Sequence, residues 1–274
     1  MRNLCLTISY DGTHYVGWQV QPNGVSIQST IEDAICKLTG ASTNLLTAGR
    51  TDSGVHAIGQ VASFQTESKI PCNKIQTGLQ TFLPNDIVIR DVKEVPLEFH
   101  ATYSAKRKRY RYLIHNSKTI NPFVRRYAWR YSGDIDTEAM HRAAQQLLGT
   151  HDFRSFESHY PNKSTSVRTI EEVTVNRYSH WAAWSQTESL AIPPTPDGEF
   201  IWIETVADGF LYNMVRAIVG TLLAVGRGKK EEEDIPQILQ AMDRAQAGET
   251  APACGLYLVH VDYGEETENR FTEN

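Results

Sequence analysis

One order of elements, strand then helix then strands then helix then strand, is written twice along this chain of 274 residues, and that duplication restricts the fold more than any other feature. Residues 3–10 (NLCLTISY) alternate apolar and polar positions and end at the turn dipeptide Asp11-Gly12, which predicts a strand. Residues 26–38 place Ile27, Ile31, Ile35 and Leu38 at helical spacing, with Ser26 able to cap and Gly40 just past the end. Strands are expected at about 43–48 and 58–66, a short helix at 73–82 closed by Pro84, and a strand at 86–94. A ribbon from Phe99 to His115 follows, with Tyr110, Tyr112 and Ile114 on one face and Arg109, Arg111 and Leu113 on the other. The second half then repeats the theme: a helix at 136–148 capped by Asp136, strands at 167–178 and 199–207, helices at 211–225 and 233–246, and a strand at 255–263.

This order predicts an α+β fold of two similar halves, each a mostly antiparallel sheet with helices on one face, meeting near residues 95–106. The expected division is 1–105, 106–264 and a C-terminal tail at 265–274, with a cleft between the halves as the expected place for a site. The segment 179–198, rich in proline and serine, reads as a surface loop.

The apolar runs fall far short of the roughly 20 residues that span a bilayer, and Met1 opens almost directly into a strand, so the expectation is a cytoplasmic protein with no membrane partner. Four cysteines lie far apart without ligand spacing, which predicts reduced, buried thiols and no structural zinc. The net charge of −5 is unevenly spread: KRKRYR at 106–111 carries five cations in six positions, whereas acids gather at 231–234. Such asymmetry permits a basic face on an acidic protein.

Three stretches carry candidate chemistry. In AGRTDSGVHA (48–57), Gly49 and Gly54 bound a loop that can hold Asp52 at a fixed, exposed point. Arg50, two positions away, is placed to form a forked ion pair that keeps the carboxylate ionised and aimed. The alternative is a turn in which Asp52 only accepts local hydrogen bonds, and His56 reads as a satisfied core or edge histidine. In KRKRYRY the cations suit phosphates and Tyr110 offers a flat ring for a base; a solvated charged strand with tyrosines beneath is the other reading. In GFLYNMVR (209–216) a glycine turn leads into a helix whose first exposed side chains, Leu211 and Asn213 among them, would face the cleft, with Arg216 one turn on, or simply into a core helix. The His-Asp pair of GTHDF (149–153) has no further histidines at ligand spacing, so no metal is expected there.

In order along the chain, YDGTHYVGWQVQ (10–21), AGRTDSGVHA (48–57), FHATYSAKRKRYRY (99–112), GTHDFRSF (149–156), RTI (168–170), GFLYNMVRAIVGTLL (209–223) and APACGLYL (251–258) resemble the tRNA pseudouridine synthase A family, over about residues 3–263. That resemblance implies isomerisation of uridine to pseudouridine at positions 38, 39 and 40 of the tRNA anticodon arm, without cofactor or metal. It implies Asp52 as the catalytic aspartate, Arg50 bracing it and holding the flipped nucleotide, and Tyr110 stacking on the uracil. It further implies Leu211 walling the other side of the base, Arg216 contacting the site or its phosphates, and a homodimer. Lys106, Arg107, Lys108, Arg109 and Arg111 are the candidates for the RNA backbone. The segment 179–198 matches none of the motifs. Two rivals from other classes are a tRNA binder that does not need Asp52, and a metal-dependent hydrolase that would be sensitive to chelators.

Overall fold

The computed structural model describes residues 1–158, 165–179 and 198–264. Most of the 179–198 loop and the whole 265–274 tail fall outside the described residues. The chain divides into two compact units, Met1–Arg107 together with the residues from Leu258 onward, and Lys108–Tyr257. Most of the last strand thus groups with the N-terminal residues.

In the first unit, β1 (Arg2–Tyr10) lies between β3 (His56–Thr66) and β4 (Ile87–Val95), antiparallel to both. A two-residue strand, β2 (Leu46–Thr47), pairs with β3, and β10 (Leu256–Asp262) is the neighbour of β3 on its other side. Two helices accompany them, α1 (Ile27–Thr39) and α2 (Cys72–Gln80). The α1 cap forms as expected: Ser26 and Ser29 make a reciprocal capping box, and Gly40 takes the left-handed conformation that only glycine adopts cheaply. Leu4, Leu6 and Ile8 of β1 and Ile27, Ile31 and Ile35 of α1 are fully buried, each contributing roughly 2 kcal/mol of hydrophobic stabilisation.

In the second unit the sheet order is β5 (Arg107–Asn116), β9 (Phe200–Ala207), β8 (Val167–Tyr178), β7 (Gly149–Asp152), antiparallel throughout. The short β6 (Trp129–Tyr131) runs parallel to β5. Its helices are α3 (Thr137–Gln145), α4 (Met214–Gly226) and α5 (Asp234–Ala241). Apolar on nearly every side, α4 packs on α3 so closely that a methyl group on Gly226 would stand 2.7 Å from Met140 Cγ. The α+β expectation is therefore met, with ten strands and five helices among the described residues.

Three expectations of detail are corrected. The ribbon starting at Phe99 begins only at Arg107, because residues 99–104 close into a hydrogen-bonded turn: the Phe99 amide donates to Pro96 O and the Ser104 amide to His100 O. The strand at 43–48 shrinks to two residues. The helix at 211–225 starts at Met214, since Asn213 is left-handed (φ 61°), a backbone state that cannot continue a right-handed helix.

Candidate active site

In the first unit, the loop after β2 is fastened from both sides. The Ala48 amide donates to Val61 O at 2.8 Å, and the fully buried Gln60 amide group donates to Gly49 O at 2.7 Å. Thr51 turns inward, where its hydroxyl meets Tyr10 Oη at 2.7 Å. Its carbonyl accepts the Trp18 amide at 2.9 Å, and next to it Asp52 forms an isolated antiparallel bridge with Gly17. Ser53 Oγ donates to Tyr15 O at 3.1 Å, and the Val55 amide returns to Asp52 O at 3.1 Å through the left-handed Gly54 (φ 77°). His56, 2% exposed, accepts the Gly12 amide on Nδ1 at 3.1 Å, with Asp11 Oδ1 3.2 Å from the same nitrogen. Close packing of the 11–18 segment on this loop needs glycine: a methyl on Gly12 would stand 2.0 Å from Val55 O.

The result is a half-buried aspartate on a backbone with few ways to move. The expected ion pair from Arg50 is not formed: that side chain is exposed and makes no ion pair with Asp52 among the described residues. A solvated guanidinium gains little from such a pair, so it stays in water.

In the second unit, Tyr110 sits on β5 opposite Thr205, 7% exposed, with Phe210 edge-on at 4.9 Å and 77°. Leu211 follows, 4% exposed, its carbonyl accepting the Met214 amide at 3.1 Å. Arg216 ties two motifs together. Its Nε donates to Ala251 O at 2.6 Å, ahead of the terminal strand, and its Nη1 donates to Asn213 Oδ1 at 2.8 Å. Asn213 Nδ2 in turn donates to Ser158 Oγ at 2.9 Å, just past the GTHDFRSF motif. The same guanidinium moderates two groups that burial pushes up, the Tyr112 phenol and the Cys254 thiol.

A family model described as tRNA pseudouridine synthase matches residues 6–104 and 143–264. This chain belongs to the tRNA pseudouridine synthase A family. It is 48% identical over 96% of its length to the whole of the tRNA pseudouridine synthase A of Acetivibrio thermocellus. Identity to the protein of that name from Thermoanaerobacter sp. strain X514 is 45% over the same shares. Among solved structures it is similar to a Cbf5–Nop10–Gar1 complex at 9% identity and a TM-score of 0.34, covering 80% of this chain and 54% of that one.

Within this family member the basic run is less uniform than its sequence suggests. Lys106 is exposed, and Arg107 is exposed with Nε 3.5 Å from Asp262 Oδ2. Lys108 lines a cavity of about 380 Å³ with Val167, Arg168, Asp208, Gly209 and Phe210. Arg109 Nη2 lies 2.8 Å from Glu172 Oε2. Arg111 lies deeper than its neighbours: its side chain is 3% exposed, paired with Glu204 Oε1 at 2.7 Å and seated over the Trp202 ring at 4.3 Å.

The sequence reading passed over Phe210 and Arg168, and over the left-handed backbone of Asn213. For Asn213 a signal was there, since asparagine is the non-glycine residue most tolerant of left-handed backbone, and here it stands just before a helix. Among the described residues no group of three or more His, Cys, Asp or Glu is gathered as metal ligands, and no helix is long and apolar enough to cross a membrane.

Proposed function

We propose that this tRNA pseudouridine synthase acts on uridines 38, 39 and 40 of the anticodon arm, with Asp52 as the catalytic group. The observation that carries the reading is the fastened, glycine-bounded loop that leaves Asp52 only half-buried. The reaction is an isomerisation: the bond from uracil N1 to ribose C1′ breaks, the uracil turns while bound, and C5 bonds to C1′. The C5 proton departs and N1 gains one, so no oxidant or external group is consumed. A carboxylate serves this chemistry by adding to the base or sugar, or by stabilising positive charge on the ribose as the bond breaks.

In this reading the exposed Arg50 guanidinium contacts the flipped nucleotide directly rather than bracing Asp52. Tyr110 and Leu211 give apolar faces to the uracil, returning stacking lost when the base leaves its stem. Arg216 acts from behind, through the turn at Asn213. Lys106, Arg107, Lys108 and Arg109 meet phosphates. A cytoplasmic homodimer without a metal or cofactor completes the reading.

Unmodified tRNA carrying tritium at uracil C5 tests it. Wild-type protein releases tritium and leaves pseudouridine at positions 38–40, whereas Asp52→Asn releases none above background while melting at the wild-type temperature. Normal turnover by Asp52→Asn, or product mapped only elsewhere in the tRNA, overturns the assignment.

A further inference from the structure

The turn at residues 99–104, which replaces the expected start of the ribbon, is built more firmly than a connection requires. His100 and Ser104 exchange two bonds, the Ser104 amide to His100 O at 2.9 Å and the His100 amide to Ser104 Oγ at 3.2 Å. The Thr102 amide donates to His100 Nδ1 at 3.1 Å, which fixes the imidazole. From outside the turn, Ser63 Oγ accepts the Ala101 amide at 3.3 Å and Tyr263 Oη donates to Ala101 O at 2.9 Å. Thr102 Oγ1 donates to Thr47 O at 2.6 Å, and Thr47 is the residue from which the chain enters the Asp52 loop.

All this order holds up one ring in water. Tyr103 is 83% exposed, and among the described residues its one ring neighbour is His100, with centroids 4.3 Å apart and planes 40° from each other. A lone exposed aromatic on a mobile loop needs no explanation. One on a turn bonded at this many points does, because the ordering has already been done before any partner arrives. Cations dominate the following stretch: from Phe99 to Arg111 the sequence has no acidic residue, and Lys106 and Arg107 stand exposed just beyond the turn, with the exposed Glu98 before it and Asp262 beside Arg107 as the nearby acids.

We infer that Tyr103 is a stacking platform for an unpaired nucleobase of the bound tRNA, next to the target nucleotide, with Lys106 and Arg107 neutralising the phosphates on either side of that base. An exposed aromatic face followed by exposed cations matches a single-stranded nucleotide: the ring takes the base and the cations take its backbone. The hydrogen bond from Thr102 to Thr47 gives the platform a fixed register with the loop that carries Asp52. This inference rests on the tRNA reading above and extends it to a second nucleotide.

The experiment uses the full-length protein and an unmodified tRNA transcript, measuring the KM and kcat of tritium release, the Kd by filter binding, and the melting temperature. Tyr103→Ala is expected to raise KM and Kd by about 5- to 150-fold, the worth of one stacked base, with kcat within about twofold and melting unchanged. Tyr103→Phe keeps the ring and is expected to restore KM and Kd. Wild-type KM and Kd in Tyr103→Ala, or a loss confined to kcat, overturns the inference while leaving the proposed reaction standing. If wild-type protein makes no pseudouridine, the tRNA reaction fails instead, and the Kd comparison alone then decides the platform.

Discussion

Gly17 faces Asp52 across an isolated antiparallel bridge, with φ at +110° and so little room that a side chain there would meet the Thr51 carbonyl oxygen at 2.7 Å. The position of the candidate catalytic carboxylate is therefore set by a glycine 35 residues earlier, through backbone contact. Gly17→Ala combines a strained backbone with a clash against main chain that cannot swing away. It is expected to lower stability by about 2 kcal/mol in urea denaturation. In the protein that remains folded, tritium release should fall roughly 10- to 100-fold through misplacement of Asp52.

The buried pair of Arg111 and Glu204 predicts a different signature. Arg111→Met strips the partner from a carboxylate that keeps only partial contact with water, so stability falls by about 3 kcal/mol in the same urea measurement. The KM for tRNA in the folded protein stays at its wild-type value. A raised KM with unchanged stability would return Arg111 to the RNA-binding surface.

Lys106 carries the opposite expectation. Its exposed ammonium contributes no packing, and Lys106→Ala should leave the urea midpoint in place. Binding to tRNA weakens, and the slope of log affinity against log salt becomes shallower by about one, the loss of a single phosphate contact. An unaltered slope would show that Lys106 meets no phosphate.

Alkaline pH provides a test of the packing beneath the Asp52 loop. Burial pushes the Tyr10 phenol up to about 12, against the partial relief of its hydrogen bonds to Thr51 and Gln60. Once unfolded, the same phenol ionises near its ordinary value of 10, so above that pH the unfolded chain binds fewer protons than the folded one. Stability is therefore whole below pH 10 and is lost as pH rises toward about 12. Burial moves the phenols of Tyr15, Tyr112 and Tyr263 in the same direction and adds to the fall. Tyr10→Phe should make the decline in urea midpoint between pH 10 and 12 shallower while costing about 1 kcal/mol at neutral pH through its lost bond to Thr51. An identical decline in the variant would exclude Tyr10 as a contributor.

The fold class was legible because its signals are short-range. Period-two alternation marked β1, and Ser26 with Gly40 marked both ends of α1, since a cap or a pleat is decided by residues within one turn or one strand. The Asp52 loop was legible for the same reason, as a polar decade with glycines between two apolar runs.

What escaped the sequence depends on partners far along the chain. KRKRYR looks like one basic patch, yet Arg111 is buried because Glu204 waits 93 residues away, while Lys106 stays in water. Arg50 looks paired with Asp52 at a spacing of two, but solvation of an exposed guanidinium outweighs that bond. Phe99 to Ser104 reads as strand until Ser63, Tyr263 and Thr47 bind its backbone as a turn. Amino-acid order by itself determined most of where the chain pleats and coils, because those choices are largely local, the 99–104 turn excepted. Which charges sink into the interior and which remain for a ligand was decided only by tertiary structure, because desolvation depends on every neighbour that folding brings within a few ångströms.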